Sequence, residues 1–180
     1  MLDAGILTEN DPVELIHGQI VEMSPENSPH RICIAKANRL LVQALSGTDF
    51  FVQPQSTLPL DEHNVPEPDL AVLRGTPDDL LDGEPDDIPL AVEVSDTTLA
   101  YDRTEKLACY ASNDIPGCWI VNLQNHTLEC YRQPTADEYR ERRTLDRTDT
   151  VRLPFNDTRS INVGALLPSP PETDEKTSGE

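Results

Sequence analysis

The sequence predicts an α/β domain in which a mixed β-sheet is flanked by helices and preceded by an N-terminal β-hairpin. Short apolar runs typical of buried strands alternate along the chain with two segments that carry helix signals. The chain has 180 residues, which is enough for one domain with a substantial core and too few for two. We therefore expect a single domain over residues 1–167, followed by a disordered, acidic and proline-rich tail over residues 168–180.

The first predicted elements are a hairpin and a long helix. The runs VELI and QIVEM flank the dipeptide HG, which predicts a tight turn at Gly18. Ser28 followed by Pro29 marks a helix start, because the first turn of a helix does not need the N–H that proline lacks. Apolar residues then recur at helical spacing as far as Leu45, and Gly47 ends the helix.

Three strands are expected after this helix. They lie in the run DFFVQPQSTLPL, in residues 68–73 and in residues 90–94, and a turn at DEHN separates the first two. Residues 74–87 are rich in charge, glycine and proline, which is typical of a connecting loop.

The second helix and two more strands complete the predicted core. Asp102 and Glu105 form a D-x-x-E pattern that resembles a capping box and predicts a helix start, with an end near Asn113. The runs CWIVNL and TLECY are expected to pair across the QNH turn, with Trp119 in the core. The polar remainder contains short strand candidates at TVRL and INVGALL.

The charge of the chain limits its partners. Acidic residues outnumber basic ones by 33 to 14, which gives a formal net charge of -19. This excludes a generic basic surface that coats nucleic acid. A polyanion that binds this chain must meet a local basic patch, a metal ion or a basic partner.

The cysteines and histidines show no spacing typical of a disulfide framework or a zinc site. The four cysteines form no C-x-x-C pair, and the four histidines form no H-x-x-H pair. The first residues show no basic region followed by an apolar one, and no apolar stretch reaches membrane-spanning length, so we expect neither a targeting segment nor a membrane span. We therefore expect reduced thiols in the core of a soluble, cytoplasmic protein without membrane contact.

Glu93 is an unusual residue for its position, because it lies inside the apolar run LAVEV. An ionised carboxylate is rarely buried without a partner. Side chains alternate along a strand, so Glu93 shares a face with Ala91 and Ser95. If the preceding strand is the neighbour, Asp69 at its start comes level with Glu93. Two carboxylates this close repel each other, and one takes up a proton unless a cation joins them.

A hard divalent cation, Mg²⁺ or Mn²⁺, would remove this conflict. Such ions bind carboxylate oxygens, and the backbone carbonyl of Val94 could add a further ligand beside Asp69 and Glu93. Lys106, near the start of the next helix, can reach the same place and stabilise negative charge. A metal-bound water beside an ammonium group suits phosphodiester hydrolysis. Tyr110, on the same helical face as Lys106, could position phosphate or water.

These residues resemble the PD-(D/E)XK superfamily of metal-dependent nucleases. The order of the blocks VELIHG, SPH, VPEPDLAVL, PLAVEVSDTTLAYDRTEKL and IPGCWIVNL further resembles the Uma-two family of restriction endonucleases. This resemblance implies a restriction-endonuclease-like core with Asp69 and Glu93 as metal ligands and Lys106 as the catalytic cation. It also implies a site role for Glu14, which matches an acidic position of the first block.

Each candidate residue also has a purely structural interpretation. Asp69 could cap a turn before its strand, and Glu93 could pair with a buried arginine or face solvent at a sheet edge. Lys106 could be a surface lysine paired within its own helix. Glu14 could be solvated in the hairpin. His30 could meet a phosphate at the helix N-terminus or simply be exposed.

The sequence therefore predicts a magnesium- or manganese-dependent endonuclease that cleaves DNA. A homodimer would supply the two active sites that are generally needed to cut both strands. The alternative is a catalytically silent binding or regulatory module that keeps the nuclease fold, which the net charge of -19 favours. A hydrolase for a smaller phosphorylated substrate is a third interpretation.

Overall fold

The structure, a computed structural model, describes residues 11–81, 83 and 87–169. Its centre is a six-stranded mixed sheet with the order β3-β4-β5-β6-β7-β8, accompanied by two two-stranded sheets. The strands are β1 (Val13–Ile16), β2 (Gln19–Glu22), β3 (Phe50–Pro54), β4 (Leu70–Arg74), β5 (Leu90–Ser95), β6 (Gly117–Asn122), β7 (Thr127–Pro134), β8 (Tyr139–Leu145), β9 (Thr150–Leu153) and β10 (Asn156–Asn162). The α-helices are α1 (Ser28–Leu45), α2 (residues 99–112) and α3 (Val163–Leu166), and a short 3₁₀ helix covers Pro77–Leu81.

The predicted N-terminal hairpin is confirmed. Strands β1 and β2 pair antiparallel with Ile16 opposite Gln19, which leaves a two-residue turn. His17 and Gly18 both have positive φ, 50° and 74°, as a type I′ turn requires. A bridge between Leu15 and Val65 attaches the hairpin to the loop that precedes β4. The hairpin therefore lies beside the segment that leads into β4.

Strand β5 is enclosed within the sheet. It pairs antiparallel with β4 and parallel with β6, and all six of its residues are buried. On one face, α1 contributes Leu41 to the core cluster that contains Val92 and Trp119. On the other face, α2 contributes Tyr110 to the cluster that contains Ala91. The sheet is thus covered by a helix on each face, and the predicted α/β class is confirmed.

The predicted start of the second helix was wrong. Helix α2 begins at Leu99 and joins the α-helical turns Leu99–Tyr101 and Leu107–Ser112 through a π-helical turn, Asp102–Lys106. Asp102 does not cap the helix, because its Oδ2 accepts hydrogen bonds from the hydroxyls of Ser95 and Thr98, at 2.6 and 2.7 Å. Through these hydrogen bonds, the carboxylate of Asp102 joins the end of β5 to the start of α2.

Three smaller expectations also differ from the structure. Asn27, not Ser28, caps α1, and its side chain accepts from the backbone N–H of His30 at 3.0 Å. The run INVGALL was predicted as a strand, but only its first two residues belong to β10, and Asn162 caps the short helix α3 by accepting from the N–H of Ala165. Strand β8 was missed because its sequence, YRERRTL, is charged and has no buried residue.

The remaining expectations concern membrane segments, cysteines and the tail. Within the described residues, no helix has the length and apolar character needed to span a bilayer. All four cysteines are free and buried, as expected. The tail predicted over residues 168–180 lies, from residue 170 onward, outside the described part of the chain.

The buried carboxylate of Glu129 on β7 joins α2 to the edge strand β8. Glu129 accepts hydrogen bonds from the guanidinium groups of Arg103 on α2 and Arg142 on β8, and from Asn122 and Tyr131. Burial, the largest single effect, favours its neutral form. The hydrogen bonds, that of Arg103 above all, outweigh burial and lower the pKa of Glu129 to about 2.

Glu129 should therefore stabilise the fold above its ordinary pKa of 4.5 and lose this effect as the pH falls towards about 2. We expect Glu129→Gln to lower the free energy of unfolding by about 2 kcal/mol at pH 7, because hydrogen bonds to a charged group are lost. Urea unfolding at a series of pH values measures the free energy of unfolding of the wild type and of the variant. The difference between wild type and variant should shrink on acidification, whereas the exposed control Glu138→Gln should differ little throughout. A constant difference would contradict the role assigned to Glu129.

Candidate active site

A cleft of about 740 Å³ lies where the hairpin, the start of α1, the ends of β4 and β5, and α2 meet. Its lining is strongly acidic. It includes the carboxylates of Glu14, Glu22, Glu26, Glu67, Asp69, Glu93 and Asp102, whereas the basic side chains are those of Lys106 and His30. Every sequence-predicted site residue except Tyr110 lines this cleft.

The two predicted metal ligands come from neighbouring strands, as expected. Leu70 of β4 lies opposite Val92 of β5, so Asp69, one residue before β4, comes level with Glu93. Asp69 Oδ2 accepts the backbone N–H of Val94 at 2.6 Å. This bond fixes the Asp69 carboxylate at the point where β4 and β5 stop pairing.

Glu93 is buried, with 4% of its surface exposed. Its Oε1 accepts a hydrogen bond of 2.5 Å from the Tyr110 hydroxyl and lies 3.2 Å from Lys106 Nζ. Burial raises the pKa of Glu93 to about 8, against the opposing effect of Lys106, and the charge of Asp69 adds to the rise. The burial of Glu93 therefore favours the neutral carboxyl group, and a further cation nearby would favour the ionised form.

Lys106 is held between acidic groups in the interior. Its Nζ lies 2.8 Å from Glu14 Oε2 and donates to the Glu67 carbonyl at 3.1 Å, and the residue is 5% exposed. Burial disfavours the charged form, but Glu93 and Glu14 outweigh this and raise the pKa of Lys106 above its usual range. Lys106 is therefore a protonated, buried lysine, and its interpretation as a surface lysine was wrong.

Glu14 reaches the site from β1. It is 5% exposed, so the alternative of a solvated hairpin glutamate is contradicted. Besides Lys106, its carboxylate accepts the hydroxyl of Tyr101 and the backbone N–H of Glu67, both at 3.3 Å. The hairpin thus supplies the second negative charge that holds Lys106 in place.

Tyr110 does not face the cleft. Its side chain is fully buried, and its hydroxyl donates to Glu93. The expectation that Tyr110 contacts phosphate or water directly is not met, because Glu93 lies between the hydroxyl and the cleft. The geometry makes Tyr110 a group that orients Glu93.

Two cleft residues that could contribute to a metal site were not predicted as ligands from the sequence. His30 on the first turn of α1 has Nε2 at 3.3 Å from Asp69 Oδ2 and Nδ1 at 3.8 Å from Glu26 Oε1. Burial favours the neutral ring, but the hydrogen bond to Asp69 and the charge of Asp69 raise the pKa of His30. The charge of Glu26 and a hydrogen bond to the backbone of Val94 add to the rise. The only sequence signal was the i, i+4 spacing of Glu26 and His30, since their proximity to Asp69 is non-local.

The predicted ligands suit a hard divalent cation. Asp69, Glu93 and the Val94 carbonyl offer oxygen donors, which Mg²⁺ and Mn²⁺ prefer. Within the described part of the chain, Asp69 Oδ1 and Glu93 Oε2 have no hydrogen-bond partner. Each carboxylate is therefore held by hydrogen bonds through one of its two oxygens.

Comparisons with known proteins identify relatives of this chain. The model of the Uma2 family, described as "Putative restriction endonuclease", matches residues 5–164. A crystal structure of a "putative nuclease belonging to DUF820" from Anabaena variabilis is similar, with a TM-score of 0.69 and 17% sequence identity. The similarity covers 92% of this chain and 96% of the other chain. No curated protein matches the sequence.

The site geometry predicts a large stability effect at Lys106. In metal-free buffer, Lys106→Met should lower the free energy of unfolding by about 3 to 5 kcal/mol, because Glu14 and Glu93 lose the cation between them. Urea denaturation measures the effect. Lys36→Met is the control, since Lys36 donates to the Leu167 carbonyl and has no buried carboxylate partner among the residues that the structure describes.

A double variant sharpens this test. Lys106→Met with Glu14→Gln should recover part of the lost stability, because one uncompensated negative charge is gone. If Lys106→Met lowers the free energy of unfolding no more than Lys36→Met does, the buried lysine does not hold the carboxylates together.

Proposed function

Since the chain belongs to the Uma2 family and has a nuclease-like fold, we propose that it is a metal-dependent endonuclease that hydrolyses phosphodiester bonds in DNA. One observation carries the proposal. Asp69 and Glu93 come level at the cleft, and a protonated lysine lies 3.2 Å from Glu93. A structural ion pair alone would not require the second carboxylate of Asp69 beside it.

Asp69, Glu93 and the Val94 carbonyl would hold Mg²⁺ or Mn²⁺. The bound ion would lower the pKa of a water molecule and polarise a phosphoryl oxygen. The chain's own residues organise this centre before any ligand arrives. The Val94 N–H fixes Asp69, and the Tyr110 hydroxyl fixes Glu93. Such preorganised groups avoid a reorganisation cost during the reaction.

Lys106 would stabilise negative charge that develops on the phosphate. Burial disfavours the charged form of its amine, but Glu93 and Glu14 outweigh burial and raise its pKa, which favours the ammonium form. Glu14 is a positioning residue in this proposal, since it contacts Lys106 and holds its Nζ beside the centre. Removing Glu14 should therefore weaken activity through Lys106.

The acidity of the cleft makes the proposed activity strongly dependent on divalent cations. Seven carboxylates line the cleft, against Lys106 and His30. A DNA phosphate entering this region meets repulsion unless bound cations reverse the local charge. Cutting both strands would require two active sites, which a homodimer would supply.

The second candidate is a binding or regulatory module that keeps the fold without cleaving DNA. The net charge of -19 and the acidic cleft favour it, because each phosphate contact ordinarily needs a positive partner. Its main difficulty is the buried Lys106, which a module without catalysis would not need between two carboxylates.

Nicking of supercoiled plasmid DNA tests the proposal. The wild-type protein should nick in Mg²⁺ or Mn²⁺ and not in EDTA. Asp69→Asn and Glu93→Gln should each lower the nicking rate by at least about 100-fold, because each removes a charged ligand at the reacting centre. Agarose gels with a time course measure the rate.

The control for this experiment is Glu62→Gln, because the Glu62 side chain is 88% exposed and lies outside the cleft. It should nick like the wild type. Circular dichroism confirms that each variant is folded. Nicking that survives in Asp69→Asn and Glu93→Gln would show a contaminating nuclease, and no nicking with either metal would favour the binding module.

A further inference from the structure

A second group of metal-binding side chains lies at the rim of the cleft. Glu26 precedes α1, His30 lies on its first turn, and Asp69 precedes β4. One ligand atom from each of these three residues lies within 4.8 Å of the other two. Glu93 and Lys106 are not part of this group. Asp69 alone belongs both to it and to the proposed catalytic centre.

His30 carries the clearest sign of a missing partner. Its Nε2 faces Asp69 Oδ2 at 3.3 Å. Its Nδ1 is buried and has no hydrogen-bond partner among the described residues, although Glu26 Oε1 is 3.8 Å away. A buried polar atom without a partner is costly, and in native proteins it often indicates an ion or water. An ion shared with Asp69 would bind Nε2, the ring nitrogen that faces Asp69, and would leave the Nδ1–H to point towards Glu26.

The three side chains are held in place by neighbouring bonds. Asn27 accepts the N–H of His30 and donates to Asp96 Oδ2 at 2.8 Å, which joins the start of α1 to the end of β5. The Gln55 side-chain amide donates to Glu26 Oε1. Preorganised donors of this kind lower the cost of ordering a metal site.

No lysine or arginine neutralises this group in the part of the chain that the structure describes. His30 is the basic partner of both Glu26 and Asp69, and Lys106 is engaged by Glu14 and Glu93. The two carboxylates therefore face each other across an imidazole. This arrangement of charge attracts a cation more strongly than it would a neutral ligand.

We propose that Glu26, His30 and Asp69 bind a first-row transition-metal ion, with Mn²⁺ preferred over Mg²⁺. The preference follows from the imidazole, because nitrogen ligands suit transition metals whereas Mg²⁺ prefers an all-oxygen set. The ion would be separate from the one at Asp69, Glu93 and Val94, and Asp69 would contact both. A role of this ion in catalysis rests on the proposed function. There the ion would add positive charge where the substrate phosphate enters.

Isothermal titration calorimetry of the metal-stripped full chain with MnCl₂ and with MgCl₂ tests the proposal. The wild type should bind two Mn²⁺ ions and prefer Mn²⁺ to Mg²⁺. His30→Gln and Glu26→Gln should each weaken one Mn²⁺ site by at least about tenfold and change Mg²⁺ affinity much less. His126→Gln and Glu62→Gln replace exposed residues of the same types and should bind like the wild type.

A spectroscopic measurement identifies the nitrogen ligand. Co²⁺ substituted into the wild type should give a visible absorption band that His30→Gln changes and His126→Gln does not. Circular dichroism confirms that each variant is folded. Unchanged Mn²⁺ binding in both His30→Gln and Glu26→Gln, or no Mn²⁺ binding by the wild type, would overturn the proposal.

Glu93→Gln separates this proposal from the nuclease proposal. The variant should lose the ion at Asp69, Glu93 and Val94 and keep the His30-dependent Mn²⁺ ion. If the wild type binds Mn²⁺ through His30 but nicks no DNA, the metal site stands and the endonuclease proposal fails. If nicking depends on Asp69 and Glu93 while His30→Gln binds Mn²⁺ normally, the endonuclease proposal stands and this one fails.

Discussion

The burial of a carboxylate inside an apolar strand is the constraint on which the rest of the site depends. Glu93 lies in β5, the strand enclosed by a neighbour on each edge and a helix on each face. An uncompensated charge there would cost several kcal/mol. Lys106 and Tyr110 of α2 reach Glu93 from one side, and Glu14 of β1 balances Lys106 from the other. Helix α2 and the hairpin are thereby tied to β5 through charge.

The site is assembled from parts of the chain that are distant in sequence. The hairpin brings Glu14, the start of α1 brings His30, and the ends of β4 and β5 bring Asp69 and Glu93. Most of these groups are acidic, so the region has a large excess of negative charge that Lys106 only partly offsets. Under the proposed function, an anionic substrate would enter this region only if bound cations offset this excess, and the net charge of the chain is also negative, -19.

Sequence reasoning succeeded where the signal was local or followed from strand pairing. The apolar runs located β4, β5 and β6, the dipeptide HG located the hairpin, and adjacent strands brought Asp69 level with Glu93. It failed at α2, because D-x-x-E also fits a carboxylate that binds Ser95 and Thr98. The contact of His30 with Asp69 joins residues 39 positions apart, and no periodicity encodes it. The π-helical turn that carries Lys106 likewise had no sequence signal.

The most direct test of the central claim is a crystal structure of the protein soaked in MnCl₂, with anomalous scattering used to locate the ions. The account predicts an anomalous peak that lies within about 2.0 to 2.3 Å of a carboxylate oxygen of both Asp69 and Glu93. The contrary result is a structure with full Mn²⁺ access in which no peak contacts Glu93, and its carboxyl group keeps only Lys106 and Tyr110 as partners. Glu93 would then be a structural acid held by an internal lysine.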